Sequence, residues 1–272
     1  MTSPAGNGAH AGSLPVAQPP ERPFNRPTGW LGRCAFLMLD RVERWICAAS
    51  TVGCTPFFDA GQFAWIPAFR DSWGTVLAEA QSLMSDRARL PAFQEISQEV
   101  GYITRDRDWK TFMLAGYGLE SRRNLERCPA TARALQRIPG LKTAFFSILE
   151  PGKRLPPHRG PYNGVLRLHL GLIVPEPAER CWIRVADQRR HWQPGEVLVF
   201  DDSLVHEVHN DTGGPRVVLF IDFVRPCRWP VSWVNRLVLF AARLSPLVRR
   251  ASRNQRRWEQ DYYGATRQEK QS

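Results

Sequence analysis

At 272 residues, with 43% hydrophobic and 11% aromatic side chains, the chain can bury one large core, which excludes disorder for its middle. The net charge of +11 is uneven: residues 225–272 hold eleven Lys/Arg against three acids (Glu259, Asp261, Glu269), about +8 of the excess. Six cysteines without a CxxC pair exclude a zinc finger, and no run of about 18 uncharged apolar residues is present to span a bilayer.

Residues 1–28, rich in Pro, Gly, Ala and Ser, read as a disordered leader; they lack the charged and apolar regions of a signal peptide, so export is not expected. Residues 30–47 set Trp30, Phe36, Val42, Trp45 and Ile46 among Arg33, Asp40, Arg41 and Arg44, an amphipathic helix that either packs on the domain or lies on a membrane interface. Residues 55–70 are aromatic and Pro-punctuated, a packing loop. Residues 71–90 are predicted as a helix closed before Pro91, from Trp73, Val76, Leu77, Ala80 and Met84, and 108–116 is short and aromatic. Another helix spans 129–138 and stops at Pro139-Gly140. The whole of 29–139 is expected to pack on the core as helices and loops.

From Leu141 the period changes to two. After a strand at 143–149, residues 164–174 alternate cleanly: Val165, Arg167, His169, Gly171 and Ile173 face one way, Leu166, Leu168, Leu170 and Leu172 the other. Strands at 181–186, 197–200, 205–209 and 216–224 follow, with Gln193-Pro194-Gly195-Glu196 as a turn. Short strands at this spacing predict an all-β core with flanking helices, a barrel or jelly roll, over 140–226. Residues 227–250 form a basic amphipathic helix that covers one sheet or lies on a membrane, and 251–272 a basic tail. That tail suits a polyanion, nucleic acid or an anionic membrane surface, or merely solubilises. The cysteines read as separate reduced thiols of a cytosolic protein.

Five of the six histidines fall between His158 and His209. His158 follows Pro156-Pro157 at a strand start, and His206 lies on a later strand. Two such imidazoles can share a divalent iron while open positions remain for a co-substrate and oxygen. A lone histidine in either place would be a packing residue; Arg216, heading a strongly apolar strand, completes the pattern. A buried guanidinium needs a carboxylate, from a dicarboxylic co-substrate or from Asp201, Asp202 or Asp222 within the chain. Arg167 and His169 share a face with Gly171, leaving a polar pocket. His191 is expected at the surface and His209 outside the cavity.

The ordered set Ser147-Ile-Leu-Glu-Pro-Gly, His158-Arg-Gly-Pro, Leu166-Arg-Leu-His-Leu-Gly-Leu, Trp192-Gln-Pro-Gly-Glu, Phe200-Asp-Asp-Ser-Leu-Val-His-Glu-Val and Arg216 resembles the aspartyl/asparaginyl β-hydroxylase family. It extends more thinly to the bacterial branch that hydroxylates acyl chains of membrane lipids. The resemblance implies a double-stranded β-helix (jelly roll, cupin-like) and a dioxygenase using Fe(II), 2-oxoglutarate and O2. By position, it implies His158 and His206 as iron ligands, Ser147 and Arg216 on the distal carboxylate of 2-oxoglutarate, and His169 on the carboxylate beside the keto group. It also implies Arg167 near substrate or co-substrate, and Asp202 orienting the groups around the metal. The carboxylate usual two residues after the first histidine is Gly160 here, as in the protein-hydroxylating members, whereas the lipid-hydroxylating ones tend to carry aspartate.

The expected substrate is an acyl chain of lipid A or ornithine lipid type, met at the inner face of the membrane by a cytoplasmic, peripheral protein anchored through 30–47, 231–248 and the basic tail. The alternatives are β-hydroxylation of an aspartyl/asparaginyl residue or carrier-bound amino acid, and a non-catalytic jelly-roll binding module. Nucleic acid is not expected, because no aromatic-interleaved basic motif accompanies the tail.

Overall fold

In the computed structural model, which describes residues 30–117 and 119–269, the period-two segments build two antiparallel sheets; the expected leader lies outside the described residues. The larger sheet orders its strands β1 (Phe57–Phe58), β9 (Val197–Phe200), β6 (Val165–Ile173), β11 (Arg216–Val224), β4 (Leu141–Leu149), β2 (Trp109–Gly116) and β3 (Leu119–Glu120). The smaller orders β5 (Arg154–His158), β10 (His206–Asn210), β7 (Cys181–Val185) and β8 (Gln188–His191). From β4 onward the chain passes back and forth between the sheets. That path is a double-stranded β-helix, as the family resemblance implies, within the all-β core with flanking helices that the alternation predicts.

The two faces of the larger sheet bury different things. Leu166, Leu168, Leu170, Leu219, Ile221 and Phe146 pack outward under α2 (Ile66–Arg70), α3 (Trp73–Met84), α6 (Pro129–Leu135) and α8 (Pro246–Glu269). Phe145, Leu149, Val218 and Phe220 pack inward against Leu155, Ile183, Val185 and Val208 of the smaller sheet. Each such side chain contributes about 1.5–3 kcal/mol when fully buried. A third cluster, Ile46, Tyr162, Val165 and Leu239, joins α1 (Trp30–Ala49) and α7 (Val231–Arg243) to the strand that carries His169. The short α4 (Phe93–Ile96) and α5 (Arg122–Arg127) complete the helices.

Strand pairing reaches outside 140–226. Residues 108–116 form β2, which pairs with β4 along its length, and β1 pairs with β9 inside the stretch read as a loop. In β2 the residues Trp109 to Phe112 are all buried, so no alternation marks it as a strand. The basic tail is mostly helix: the segment 231–248 breaks before Pro246, and α8 then runs to Glu269. Trp258 and Tyr262 dock α8, with Tyr262 Oη donating to Asp86 (3.0 Å), Trp258 Nε1 to the Arg89 carbonyl (3.4 Å) and Asn254 to that of Ile96 (3.1 Å). Its arginines masked this aromatic stripe at helical spacing.

One expectation about the cysteines is corrected. Cys47 and Cys54 form a disulfide, because the chain reverses after α1 through Gly53 (φ +86°) and brings their Cα atoms to 5.5 Å. Spacing rules keyed to CxxC do not detect a pair made by a turn. Cys128, Cys181 and Cys227 are free thiols.

Candidate active site

His158 ends β5 and His206 opens β10, and the antiparallel register sets them opposite each other. Their ring centroids lie 4.1 Å apart and both are buried. Nδ1 of His158 bonds the Pro156 carbonyl (2.7 Å) and Nδ1 of His206 that of Leu204 (2.9 Å). A carbonyl only accepts, so Nδ1 carries the hydrogen in each ring and Nε2 keeps its lone pair. Burial holds both rings below the usual imidazole range, His158 at about 4, so they are uncharged in neutral solution. Two neutral Nε2 donors on facing strands are what divalent iron takes from histidine. Among the described residues no group of three His, Cys, Asp or Glu is arranged to hold a metal, and this facing pair is the candidate donor set.

The structure explains Gly160. Its N–H donates to the Asp202 carbonyl (2.7 Å), and a Cβ there would come within 2.1 Å of Asp202 Oδ2. The space of a side chain two residues after His158 is therefore filled by the carboxylate of Asp202, arriving from the loop before β10. Asp202 is buried, pairs through Oδ2 with Arg167 Nη2 (2.8 Å) and leaves Oδ1 without a partner. Burial pushes its pKa up to about 7, against the opposing pull of Arg167. Arg167 also bonds Asp222 through Nε (2.8 Å) and lies over the Phe220 ring, so it is clamped between two carboxylates.

Register collects the remaining predicted residues. Antiparallel partners share a face, and Asp222 lies opposite Arg167, Phe220 opposite His169 and Val218 opposite Ser147, all facing the smaller sheet. Arg216, opposite Leu149, is a diagonal neighbour of Ser147 on that face. Arg216 is only 2% exposed, yet its Nε and Nη1 have no hydrogen-bond partner. The acids that could have neutralised it within the chain are engaged elsewhere: Asp201 pairs with Arg225, and Asp202 and Asp222 with Arg167. Burial without an anion drops the Arg216 pKa to about 10. An unpaired buried cation is costly and accounts poorly for stability, but it is a strong receptor for a carboxylate.

Two tryptophans that carry no titratable group finish this pocket. Trp109 Nε1 donates to Ser147 Oγ (3.0 Å), leaving the hydroxyl hydrogen of Ser147 to give away. Trp192 lies 4.7 Å from the Arg216 guanidinium carbon and donates its Nε1–H to His169 Nδ1 (3.3 Å). An indole only donates, so His169 must hold its hydrogen on Nε2, which is buried and has no partner. Burial and the nearby Arg216 and Arg167 keep His169 well below its usual pKa, so it is a neutral donor. Gly171 makes this arrangement reachable: a Cβ there would meet the Gln193 carbonyl at 2.2 Å, so only glycine lets the turn carrying Trp192 come so close. The roles of Trp109, Trp192, Asp222 and the Arg225–Asp201 pair are not legible in the sequence, although Trp192 opens a motif singled out there. His209 stacks on Trp182 and His191 bonds the Ala178 carbonyl, both away from the His158–His206 pair.

The fold and site together define a double-stranded β-helix protein with two facing, buried imidazoles and a buried arginine that has two unpartnered nitrogens. The chain belongs to the aspartyl/asparaginyl beta-hydroxylase family, whose model matches residues 70–226. It is 43% identical to the ornithine lipid ester-linked acyl 2-hydroxylase of Rhizobium tropici over 241 residues, covering 89% of this chain and 85% of that protein. It is also 37% identical to the human aspartyl/asparaginyl beta-hydroxylase over 124 residues, 44% of this chain but only 16% of that protein. Among solved structures, a Pseudomonas putida prolyl-4-hydroxylase matches 56% of this chain and 87% of its own, with 20% identity and a TM-score of 0.38. The chain is thus a member of a hydroxylase family, nearest in kind to its bacterial lipid-hydroxylating branch.

Proposed function

We propose that the chain is an Fe(II)- and 2-oxoglutarate-dependent dioxygenase that hydroxylates an acyl chain of a membrane lipid, of ornithine lipid or lipid A type, at the cytoplasmic face of the membrane. The observation that carries the reaction class is Arg216: a buried guanidinium with two unpartnered nitrogens, on the same sheet face as a free-ended His169 Nε2–H and opposite two lone-pair imidazoles. The acyl-chain substrate is supported by the similarity to the Rhizobium tropici enzyme over 89% of the chain.

In this reading His158 and His206 hold iron through Nε2, their rings oriented by the Pro156 and Leu204 carbonyls. Arg216 and the Ser147 hydroxyl take the distal carboxylate of 2-oxoglutarate, and His169 donates from Nε2 to the carboxylate beside the keto group. When bound, iron, 2-oxoglutarate and O2 supply an oxidant for an unactivated C–H, and succinate and carbon dioxide leave. Asp202 stands where a third protein ligand would otherwise come from Gly160, and Arg167 holds its carboxylate in place. Phe200 and Phe220 line the imidazoles, keeping water from the reacting face.

Mass spectrometry of polar lipids tests this in cells with the chain, without it, and with His206→Ala. One added oxygen on an acyl-containing lipid, present only with the intact chain, is expected. Iron-dependent 2-oxoglutarate turnover without any lipid change would overturn the lipid substrate. Gly160, shared in the resemblance with protein-hydroxylating members, would then favour β-hydroxylation of an aspartyl/asparaginyl residue or a carrier-bound amino acid.

A further inference from the structure

The helix α7 has two apolar faces where a soluble surface helix has one. Asn235 and Leu239 point into the domain and are buried. On the opposite side Trp233, Leu237, Phe240 and Leu244 form a stripe at helical spacing, with Trp233 65% and Phe240 57% exposed. Trp229, just before the helix, is also exposed. Helix α1, which packs against α7, adds exposed Met38 and Trp45. Nothing in the described chain covers this stripe.

We propose that the outer face of the α1–α7 pair is the surface by which the chain docks on an anionic lipid bilayer, an inference that rests on the membrane-lipid reading above. The charge pattern selects this occupant. Between Asp222 and Glu259 the sequence has nine arginines and no acid. Arg236 is exposed on α7 next to Leu237 of the stripe and Arg41 is exposed on α1, so cationic heads flank an aromatic band, the arrangement that seats a helix at the headgroup level. A second protein would have to match both features; a bilayer with anionic headgroups does so without a shaped partner. The basic residues of α8 contribute less than the tail composition suggests, because Trp258 and Tyr262 hold that helix against the domain.

The same pair of helices touches the loop that leads out of the candidate site. Tyr162 Oη donates to Asn235 Oδ1 (3.1 Å), Asn163 Nδ2 donates to the Glu43 carbonyl (2.8 Å), and Asn235 Nδ2 donates to the Gly164 carbonyl (2.8 Å). These residues lie between His158 and β6, so a bilayer seated on α1–α7 lies one loop away from the imidazoles. An acyl chain lifted from the leaflet then has a short path inward.

Co-sedimentation of the full chain with phosphatidylcholine vesicles, with and without phosphatidylglycerol, tests the proposal. The expected result is binding that needs the anionic lipid, weakened about tenfold or more by Trp233→Ser combined with Phe240→Ser, since each removes a large apolar side chain from the interface. Hydroxylation of lipid dispersed in detergent micelles should be unchanged in that variant, which shows that it folds. Absence of vesicle binding, equal binding by the variant, or a dimer in sedimentation equilibrium that the variant dissociates would each overturn it; the last would make the face a self-association surface. Vesicle binding without lipid hydroxylation would sink the substrate reading and leave the docking surface standing, whereas micellar hydroxylation without vesicle binding would do the reverse.

Discussion

His158 and His206 lie across the β5–β10 pairing with ring centroids 4.1 Å apart, and each gives its Nδ1–H to the carbonyl two residues before it. The same local device therefore acts twice, from two strands that meet only in the folded sheet. It fixes which nitrogen of each ring is left bare, and that choice needs no other side chain. In the proposed iron centre these two imidazoles are the protein donors, and neither can be spared. His158→Gln or His206→Ala should weaken Fe(II) binding at least about 100-fold and abolish 2-oxoglutarate turnover. Calorimetric titration with Fe(II) or a redox-inert divalent surrogate under anaerobic conditions measures this, and retained affinity would remove the pair from the metal centre.

Arg216 is an unpaired buried cation, so its removal should separate function from stability. Arg216→Met should raise the KM for 2-oxoglutarate about 10- to 100-fold, the worth of a charge-assisted pair. It should also stabilise the ligand-free chain by about 1–4 kcal/mol, because an uncompensated buried charge is gone. Steady-state kinetics and urea unfolding check the two halves, and a loss of stability would mean that Arg216 has a partner within the fold.

In the proposed site Trp192 acts on co-substrate through His169, whose Nδ1 accepts its Nε1–H. In Trp192→Phe the ring over Arg216 remains while the Nε1–H that holds the His169 tautomer is lost. A rise of about 5-fold in the KM for 2-oxoglutarate with little change in kcat is expected, one hydrogen bond's worth. Nitrogen-15 chemical shifts of the imidazole would show mixed tautomers in the variant, and an unchanged Nε2–H form would exclude the role.

The buried imidazoles tie stability to pH. His158, His169 and His206 sit below the ordinary value of 6.5, His158 at about 4, because burial disfavours the cation. Below that ordinary value the unfolded chain binds more protons than the folded one. Stability is therefore full above it and is lost as pH falls toward the folded values, by about 1.4 kcal/mol per pH unit for each histidine. Asp202, at about 7 when folded against 3.8 ordinarily, holds a proton over that same range and offsets one histidine. The expected net slope is at most about 2.7 kcal/mol per pH unit in metal-free protein, read by urea unfolding from neutral pH downward. A flat profile would show the imidazoles to be hydrated.

Gly160 and Asp202 share one volume, so their substitutions should not add. Gly160→Ala should cost about 1–3 kcal/mol because its Cβ would overlap the Asp202 carboxylate. In an Asp202→Ala background most of that cost should vanish. A double-mutant cycle by urea unfolding measures the coupling, and full additivity would place the strain elsewhere.

The change from helical to alternating period at Leu141, most strands of 141–224 and the seven candidate residues from Ser147 to Arg216 are legible in the sequence, but β5 is not: His158, expected at a strand start, ends that strand. Each legible feature rests on short-range regularities: a pleat that alternates faces, Pro-Gly turns, and motifs in fixed order. The strand β2, with four consecutive buried residues, left no such alternation, and the aromatic stripe that docks α8 was hidden under its arginines. The Cys47–Cys54 pair needed the turn at Gly53.

What the sequence determined by itself is which residue types are available and on which face of a strand each stands. Which acid neutralises which base was decided only by the tertiary structure. Arg216 had three candidate carboxylates in the chain, and long-range register gave two of them to Arg167 and the third to Arg225. Pairing across sheets depends on strands far apart in sequence coming within a few ångströms, and no local pattern encodes that distance. The unpartnered guanidinium of Arg216 and the filled space beside Gly160 are consequences of that register, which is why both had to be found in the folded chain.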